Sequence, residues 1–409
     1  MRVAIMEQMH VGHYYSYVRL LIEAVRPLVN DVILLVSPEG ANSPEFRTEL
    51  AEVARSLDVR PALRRPRPGM LGSSLDSVRN LHRALRDVSP DVLLVSTGDQ
   101  LAEAAGLASM VGAWKMRRRV HCECLMTRLT FTYPHSVRRV PVRVVLSGLR
   151  RSPFDPIHII DVLAYQWIRR FGGSALAAKF RLHPDPVAPA ANIDRTAARE
   201  RLGIPASGRY LCCPGQINTR KGIDLLVEAF GSADLRSDDR LLLVGKANDT
   251  VRSLLAGDRF RHLQADGRLQ VIDRHVTTEE FALAFRAADV IVCPYPLQPH
   301  PSSIAVNAMA AERPVLGADA FWIGQMVPMF GMGWTVNVKD PTAFAAALRG
   351  SLESAPGWRR SEAARRLVAF NSVEAFKSAW TVSIRNMLGL PPAEDLRSWS
   401  WVMEALDAD

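Results

Sequence analysis

Three short stretches in the second half of the chain place glycine, lysine and serine where a phosphate group can be held. In PGQINTRKGIDLLVEAF (214–230), Gly215 permits a tight turn, Lys221 supplies a cation and Gly222 opens an amphipathic helix. Val244-Gly245-Lys246 repeats the pairing of bare backbone with a nearby positive charge. In PHPSSIAVNAMAAERPVLG (299–317), Ser302 and Ser303 stand where an apolar run gives way to a helical pattern. Free N–H groups at a helix start attract an anion, small residues let it approach, and hydroxyls add donors. Together the stretches point to a phosphate or diphosphate ligand. For the serines a second reading stays open, in which one simply caps its own helix.

In the first half, His121 of RVHCE (119–123) is read at the carboxyl end of a strand, where a side chain can meet a substrate. The alternative is a core histidine satisfied by backbone. Gly12 lies in the first strand-to-helix loop between His10 and His13. Cys122, Cys124, Cys212, Cys213 and Cys293 sit in strand-like surroundings without C-x-x-C spacing, so they read as reduced structural thiols. No metal site is expected.

The elements that must position these residues follow from hydrophobic patterning. Apolar, β-branched runs alternate with helical patterns, which is the mark of parallel sheets covered by helices. The runs are RVAIM (2–6), VILLV (32–36), DVLLVS (91–96), RVHCE (119–123) and IHIID (157–161), then RYLCCPG (209–215), LLLVG (241–245), LQVID (269–273), VIVCPY (290–295), PVLGAD (314–319) and WTVNV (334–338). The intervening polar stretch carries Pro184, Pro186 and Pro189 and stops both kinds of element. The reading is an N-terminal Rossmann-like domain over 1–183, a linker over 184–194 and a second such domain over 195–370. A C-terminal helix and tail, 371–409, are expected to pack across both lobes. A chain of 409 residues exceeds one ordinary core and agrees with two domains.

Composition bounds the function. No stretch of about 18 uncharged apolar residues occurs, which argues against a spanning helix. The N-terminal run MRVAIM turns polar at Glu7, too short for a secretory core, so a cytoplasmic location is expected. The net charge of +9 is uneven, since Lys115 to Arg151 holds ten Lys/Arg against the single acid Glu123. That segment suits an anionic or lipid-linked acceptor or a peripheral contact with the inner membrane face, and it also suits a merely solvated rim. No recognised nucleic-acid motif accompanies it.

PGQINTRKGIDLLVEAF, LLLVGK, FRAADVIVCPY, SSIAVNAMAAERPVLG and the N-terminal VGHYYSYVRLLIEAV, in this order, resemble the retaining GT-B glycosyltransferases of family 4 over roughly residues 1–390. The resemblance implies two Rossmann-like doubly wound domains facing each other across a cleft. It also implies metal-independent transfer of a sugar from a nucleotide-diphosphate sugar to an acceptor hydroxyl with retained anomeric configuration, the donor being a co-substrate and no cofactor being needed. By position, Gly215, Gln216, Lys221, Lys246, His300, Ser302, Ser303, Ile304 and Asn307 would line the donor site, with Gly12 near the donor phosphate and His121 as the catalytic residue beside the reacting sugar. The nucleotide base would sit near Arg274 to Thr277. Two departures stand out. Gln216 replaces the usual phosphate-binding arginine, leaving Arg220 or Lys246 to compensate. Pro299 and Asn307 occupy the positions of the two usual glutamates, leaving His300 or Gln298 to meet the sugar. A GT-B protein that binds without turnover, or an epimerase or phosphorylase on the same scaffold, therefore remains an alternative.

Overall fold

The structure, a computed structural model, describes residues 1–10, 14–67, 70–112, 120–129, 141–187 and 192–394. The chain divides into two compact units, residues Met1–Pro186 with Val373–Asp409, and residues Val187–Ser372. Each is built on one wholly parallel sheet.

In the first unit the strands are β1 (Arg2–Met6), β2 (Asp31–Leu35), β3 (Asp58–Arg60), β4 (Val92–Val95), β5 (His121–Met126), β6 (Ile157–Ile159) and β7 (Phe180–Leu182), in the spatial order β3-β2-β1-β4-β5-β6-β7. Val3 to Met6 are all buried to 0% exposure, as expected for a strand covered by helices on both faces. The pairing Val3↔Val92 sets β1 against β4, and the strand order reverses direction there. β3 and β7 are the strands the hydrophobic runs do not announce. Each has three residues at a sheet edge, with arginine among them, and so lacks a continuous apolar run.

The second unit contains β8 (Arg209–Pro214), β9 (Asp239–Val244), β10 (Leu269–Ile272), β11 (Val290–Cys293), β12 (Val315–Ala318) and β13 (Gly333–Val336), ordered β10-β9-β8-β11-β12-β13. Its reversal point falls between β8 and β11, paired as Ile291↔Cys212. Leu241, Leu243, Val290 and Val292 pack against Ile223, Leu226 and Phe230 of the helix Ile223–Ser232 and Phe344 and Leu348 of the helix Pro341–Ser354 in one core.

The C-terminal helix Val373–Met387 carries Phe376, Trp380 and Ile384 at four-residue spacing, and all three are buried in the core of the first unit with Tyr17, Val18 and Leu21. The tail beyond Glu394, with Trp399 and Trp401, lies outside the described residues. All five cysteines are buried free thiols. No helix among the described residues is long and apolar enough to cross a membrane. Much of the basic segment 115–151 lies outside the described residues, at 115–119 and 130–140.

Candidate functional site

In open parallel sheets ligands collect where the strand order reverses, beyond the carboxyl ends of the strands. In the second unit the loops after β8 and β11 meet at that point. Gly215 holds φ +101°, a conformation glycine adopts without strain, and a Cβ there would stand 2.6 Å from Lys221 Nζ and 3.7 Å from Ile304 Cδ1. The missing side chain is thus the space the lysine fills. Gly245, at φ +141°, lies so close that a Cβ would overlap the Gly215 carbonyl oxygen, which locks the β8 and β9 loops together. Ile217 N–H donates to Lys246 O at 3.0 Å and Asn248 N–H to Ile217 O at 3.0 Å, extending that join.

Lys221 is 9% exposed, its ammonium 5.2 Å from the Tyr295 ring centroid. Burial pushes its pKa down, partly opposed by the neighbouring Cys213 and Cys293 thiols. No carboxylate among the described residues pairs with it. The backbone is fixed by Asn218, whose side chain accepts from Lys221 N–H at 3.1 Å. Across the gap, Ser302 is the residue preceding the helix Ser303–Ala310, yet its hydroxyl caps nothing. Ser302 Oγ approaches Tyr295 Oη, but neither oxygen makes a hydrogen bond of ordinary geometry, although both are buried. The reading of Ser302 as a self-satisfied cap therefore fails. Gln298, 8% exposed, accepts from Arg220 Nη1 at 3.3 Å, tying the two loops at their rim.

The structure thus brings together Gly215, Lys221, Ser302 and Ile304, with Tyr295, which the motifs did not single out although it ends the quoted run VIVCPY. Gln216 and Ser303 are exposed, and His300 is half-buried in the β11 loop. Asn307 donates from Nδ2 to Ser303 O at 2.8 Å, one turn back. Lys246 is exposed and 3.9 Å from Asp273, which Arg252 already grips at 2.6 Å. The diffuse pair leaves the lysine's charge largely available.

In the first unit the expectation for His121 needs correction. β5 starts at His121 instead of ending near it: His121 N–H donates to Asp91 O at 3.0 Å, the register is Val92↔His121, and the strand continues to Met126. His121 therefore stands at the amino end of the sheet, opposite the edge where ligands collect. Its Nε2 meets Glu123 Oε1 at 2.7 Å, and that bond raises its pKa. Glu123, 1% exposed, also takes His158 Nε2 at 2.8 Å and Ser383 Oγ at 2.7 Å. This is a structural network. Gly12 and His13 lie outside the described residues.

Residues that sequence reasoning passed over occupy the carboxyl edge of that sheet. Glu7 follows β1 and Ser96 follows β4, at the reversal point, with Ser96 Oγ donating to Glu7 at 2.6 Å and Met9 N–H at 2.7 Å. Asp99 accepts from Thr127 N–H at 2.6 Å and Thr127 Oγ1 at 2.8 Å, and Arg128 reaches Tyr14 Oη at 3.2 Å. Burial pushes the Glu7 carboxyl up to about 7 against the pull of these donors. Its position directly after a wholly apolar strand was the available signal. A raised carboxyl contributes stability that is present below its ordinary 4.5 and is lost as the pH climbs to about 7. Glu7→Gln is therefore expected to be more stable than the natural chain at pH 8, by on the order of 2–3 kcal/mol, with no gain near pH 4. Urea midpoints for both proteins across pH 4–8 check this, and parallel profiles would refute it.

Among the described residues no group of three or more His, Cys, Asp or Glu side chains stands close enough to hold a metal. Residues 208–354 match the family described as glycosyl transferases, group 1. D-inositol 3-phosphate glycosyltransferase from Xylanimonas cellulosilytica is 32% identical over 184 residues, 44% of this chain and 42% of that protein. The protein of the same name from Geodermatophilus obscurus is 34% identical over 172 residues, 39% of this chain and 36% of its own length. The match thus spans less than half the length of these relatives. Among solved structures, sucrose-phosphate synthase from Thermosynechococcus elongatus superposes with a TM-score of 0.69 at 19% identity, covering 95% of this chain and 99% of that one. HepE from Anabaena, solved in complex with UDP, gives 0.64 at 16%, covering 95% and 100%. The match to the group 1 glycosyltransferases thus lies within the second unit, and the two Rossmann-like units have the GT-B fold of the solved neighbours.

Proposed function

We propose that the chain transfers a glycosyl group from a nucleotide-diphosphate sugar to an acceptor hydroxyl, with retention of anomeric configuration and without a metal. The observation that carries this reading is the Lys221 ammonium, buried on the Tyr295 ring with no carboxylate partner among the described residues, the hydroxyl of that tyrosine lying against the unsatisfied Ser302 hydroxyl. A buried cation without a counter-ion is costly, and a ligand that brings negative charge removes that cost. The diphosphate is the group that does so here. As the glycosidic bond breaks, charge grows on the departing phosphate oxygen. Lys221 and the first-turn N–H groups of the helix Ser303–Ala310 are donors already in place, so no reorganisation is needed at that moment. Asn307 Oδ1 is left to accept from a ribose hydroxyl, its amide nitrogen being committed to Ser303.

The HepE–UDP complex supports a nucleotide diphosphate as the ligand. The relatives are named for D-inositol 3-phosphate, an anionic polyol, which supports an anionic acceptor and fits the basic segment 115–151. The first unit would take that acceptor near Glu7, Asp99 and Arg128.

Binding without turnover is the second reading, and the absence of a carboxylate at Pro299 and Asn307 favours it. Thermal shift against a panel of nucleotide sugars tests the donor, because a ligand that binds only the folded chain raises its melting point by a known law. One member is expected to raise it clearly, and no response to any member would end the proposal. Incubating that donor with inositol phosphate and other polyols, with product anomers read by NMR, separates transfer from binding alone.

A further inference from the structure

A cavity of about 580 Å³ opens at the other end of the second sheet. Its lining includes Asp289 and Pro314, the residues immediately before β11 and β12, so it lies at the amino ends of these strands, whereas Tyr295 and Ser302 follow the carboxyl end of β11. Five arginines, Arg195, Arg313, Arg359, Arg360 and Arg365, line it against two carboxylates, Asp289 and Glu312. The carboxylates neutralise the set only in part. Asp289 is shared between Arg195 and the adjacent Arg199, Glu312 meets Arg360 at 3.0 Å, and Glu362 is shared between Arg365 and Arg366, whereas Arg313 and Arg359 pair with no carboxylate among the described residues.

The guanidinium groups are held in place by backbone. Arg360 Nη1 donates to Met309 O at 2.8 Å, Arg313 Nη2 to Arg286 O at 3.1 Å, and Arg359 Nη1 to Trp358 O at 2.8 Å. Carbonyl bonds fix a guanidinium without cancelling its charge. The Nε atoms of Arg313 and Arg360 are both buried and without a hydrogen-bond partner. A buried unsatisfied N–H on a charged group is an expense that native structures rarely leave without a use. Burial and the nearby Arg195 and Arg286 bring the Arg313 pKa down to about 10, the mark of crowded positive charge.

We propose that this pocket is an anion site separate from the candidate donor site, and that it takes a small molecule carrying at least two linked phosphate groups. A preformed fork of guanidinium donors matches phosphate oxygens bidentately, and several forks converging on one cavity favour more than one phosphate. Half-buried Trp358 on the same wall offers a flat face to whatever the phosphates are attached to. The site does not depend on the transferase reading, because none of its residues belongs to the loops after β8 or β11.

The probe is inorganic pyrophosphate, titrated calorimetrically into the full chain. Arg359→Ala/Arg365→Ala is the informative variant, since both side chains are solvent-facing and their loss spares the core. The natural chain is expected to bind at two classes of site, one weakened about tenfold or more by the double variant and the other lost in Lys221→Ala. An isotherm for the double variant that superimposes on that of the natural chain would overturn the proposal. So would binding that Lys221→Ala removes completely. Arg360→Gln, which keeps the three-carbon stem and removes the charge, should weaken the first class alone, and an unchanged isotherm there would count equally against it.

Discussion

Replacing Lys221 by alanine is expected to weaken binding of a nucleotide diphosphate about 10- to 100-fold while leaving the ligand-free protein as stable as before, or more so. The two halves have one cause. In the free protein the ammonium sits 9% exposed among Tyr295, Ile304 and the Cys213 and Cys293 thiols, and burial disfavours its charged form. Deleting a buried charge that has no counter-ion removes a cost along with the aliphatic packing of the side chain. In the proposed complex the same ammonium would make charge-assisted bonds to phosphate oxygens, worth roughly 1.5–3 kcal/mol each. That range sets the expected loss. Melting curves of both proteins, with and without UDP, read both quantities at once. A variant that melts lower yet keeps its full UDP response would show that Lys221 is a packing residue and no part of the site. Lys221→Arg should not rescue binding, because the planar fork is too broad for the space that Gly215 leaves beneath Tyr295.

The loops after β8 and β9 were legible in the sequence because their signals are local. Gly215 and Gly245 follow buried runs directly, and Lys221 lies six residues on, at the mouth of a helix whose apolar stripe is plain. The contribution of Tyr295 was hidden for the opposite reason: its ring packs onto a lysine 74 residues earlier in the chain, a contact no local spacing encodes. β5 shows the same limit. Glu123 interrupts an apolar run and reads as a strand end, whereas Cys124, Leu125 and Met126 continue the strand into the core. What makes a carboxylate tolerable there is His158 and Ser383, the latter 260 residues away, brought in by a β-strand and a C-terminal helix. The end assigned to His121 was wrong by one strand length because the partners that satisfy Glu123 are not its neighbours in sequence. The arginine pocket escaped for a further reason. Its residues come from five separate elements, and each arginine alone looks like an ordinary solvated charge.

Glu123→Ala is expected to destabilise the first unit by about 3–5 kcal/mol, the range for removing one member of a buried charged pair. Glu123 is 1% exposed and is the shared acceptor for His121, His158 and Ser383. His158 is itself 1% exposed on its side chain and stacks on Trp380 at 4.5 Å, so the lost acceptor cannot be replaced by solvent. Burial alone would raise the carboxyl, but the donors from His121, His158 and Ser383 outweigh it and hold Glu123 at about 2. A depressed carboxyl supplies stability that is present above its ordinary 4.5 and is lost as the pH falls from 4.5 towards 2. His121, raised by the same bond, supplies a smaller share that is full below 6.5 and fades as the pH rises through its shifted value. The natural chain should therefore hold the helix Val373–Met387 most tightly near pH 5–6, and the variant should lose both limbs of that profile. Hydrogen exchange on Val373–Met387 reads this directly, since Trp380 and Ser383 link the helix to the network. Glu123→Gln, which keeps one acceptor oxygen and the shape, is expected to cost less while still flattening the acid limb. Equal protection of this helix in the natural chain and the alanine variant at pH 6 would show that packing of Phe376, Trp380 and Ile384 suffices to hold it, and that the buried carboxylate is incidental.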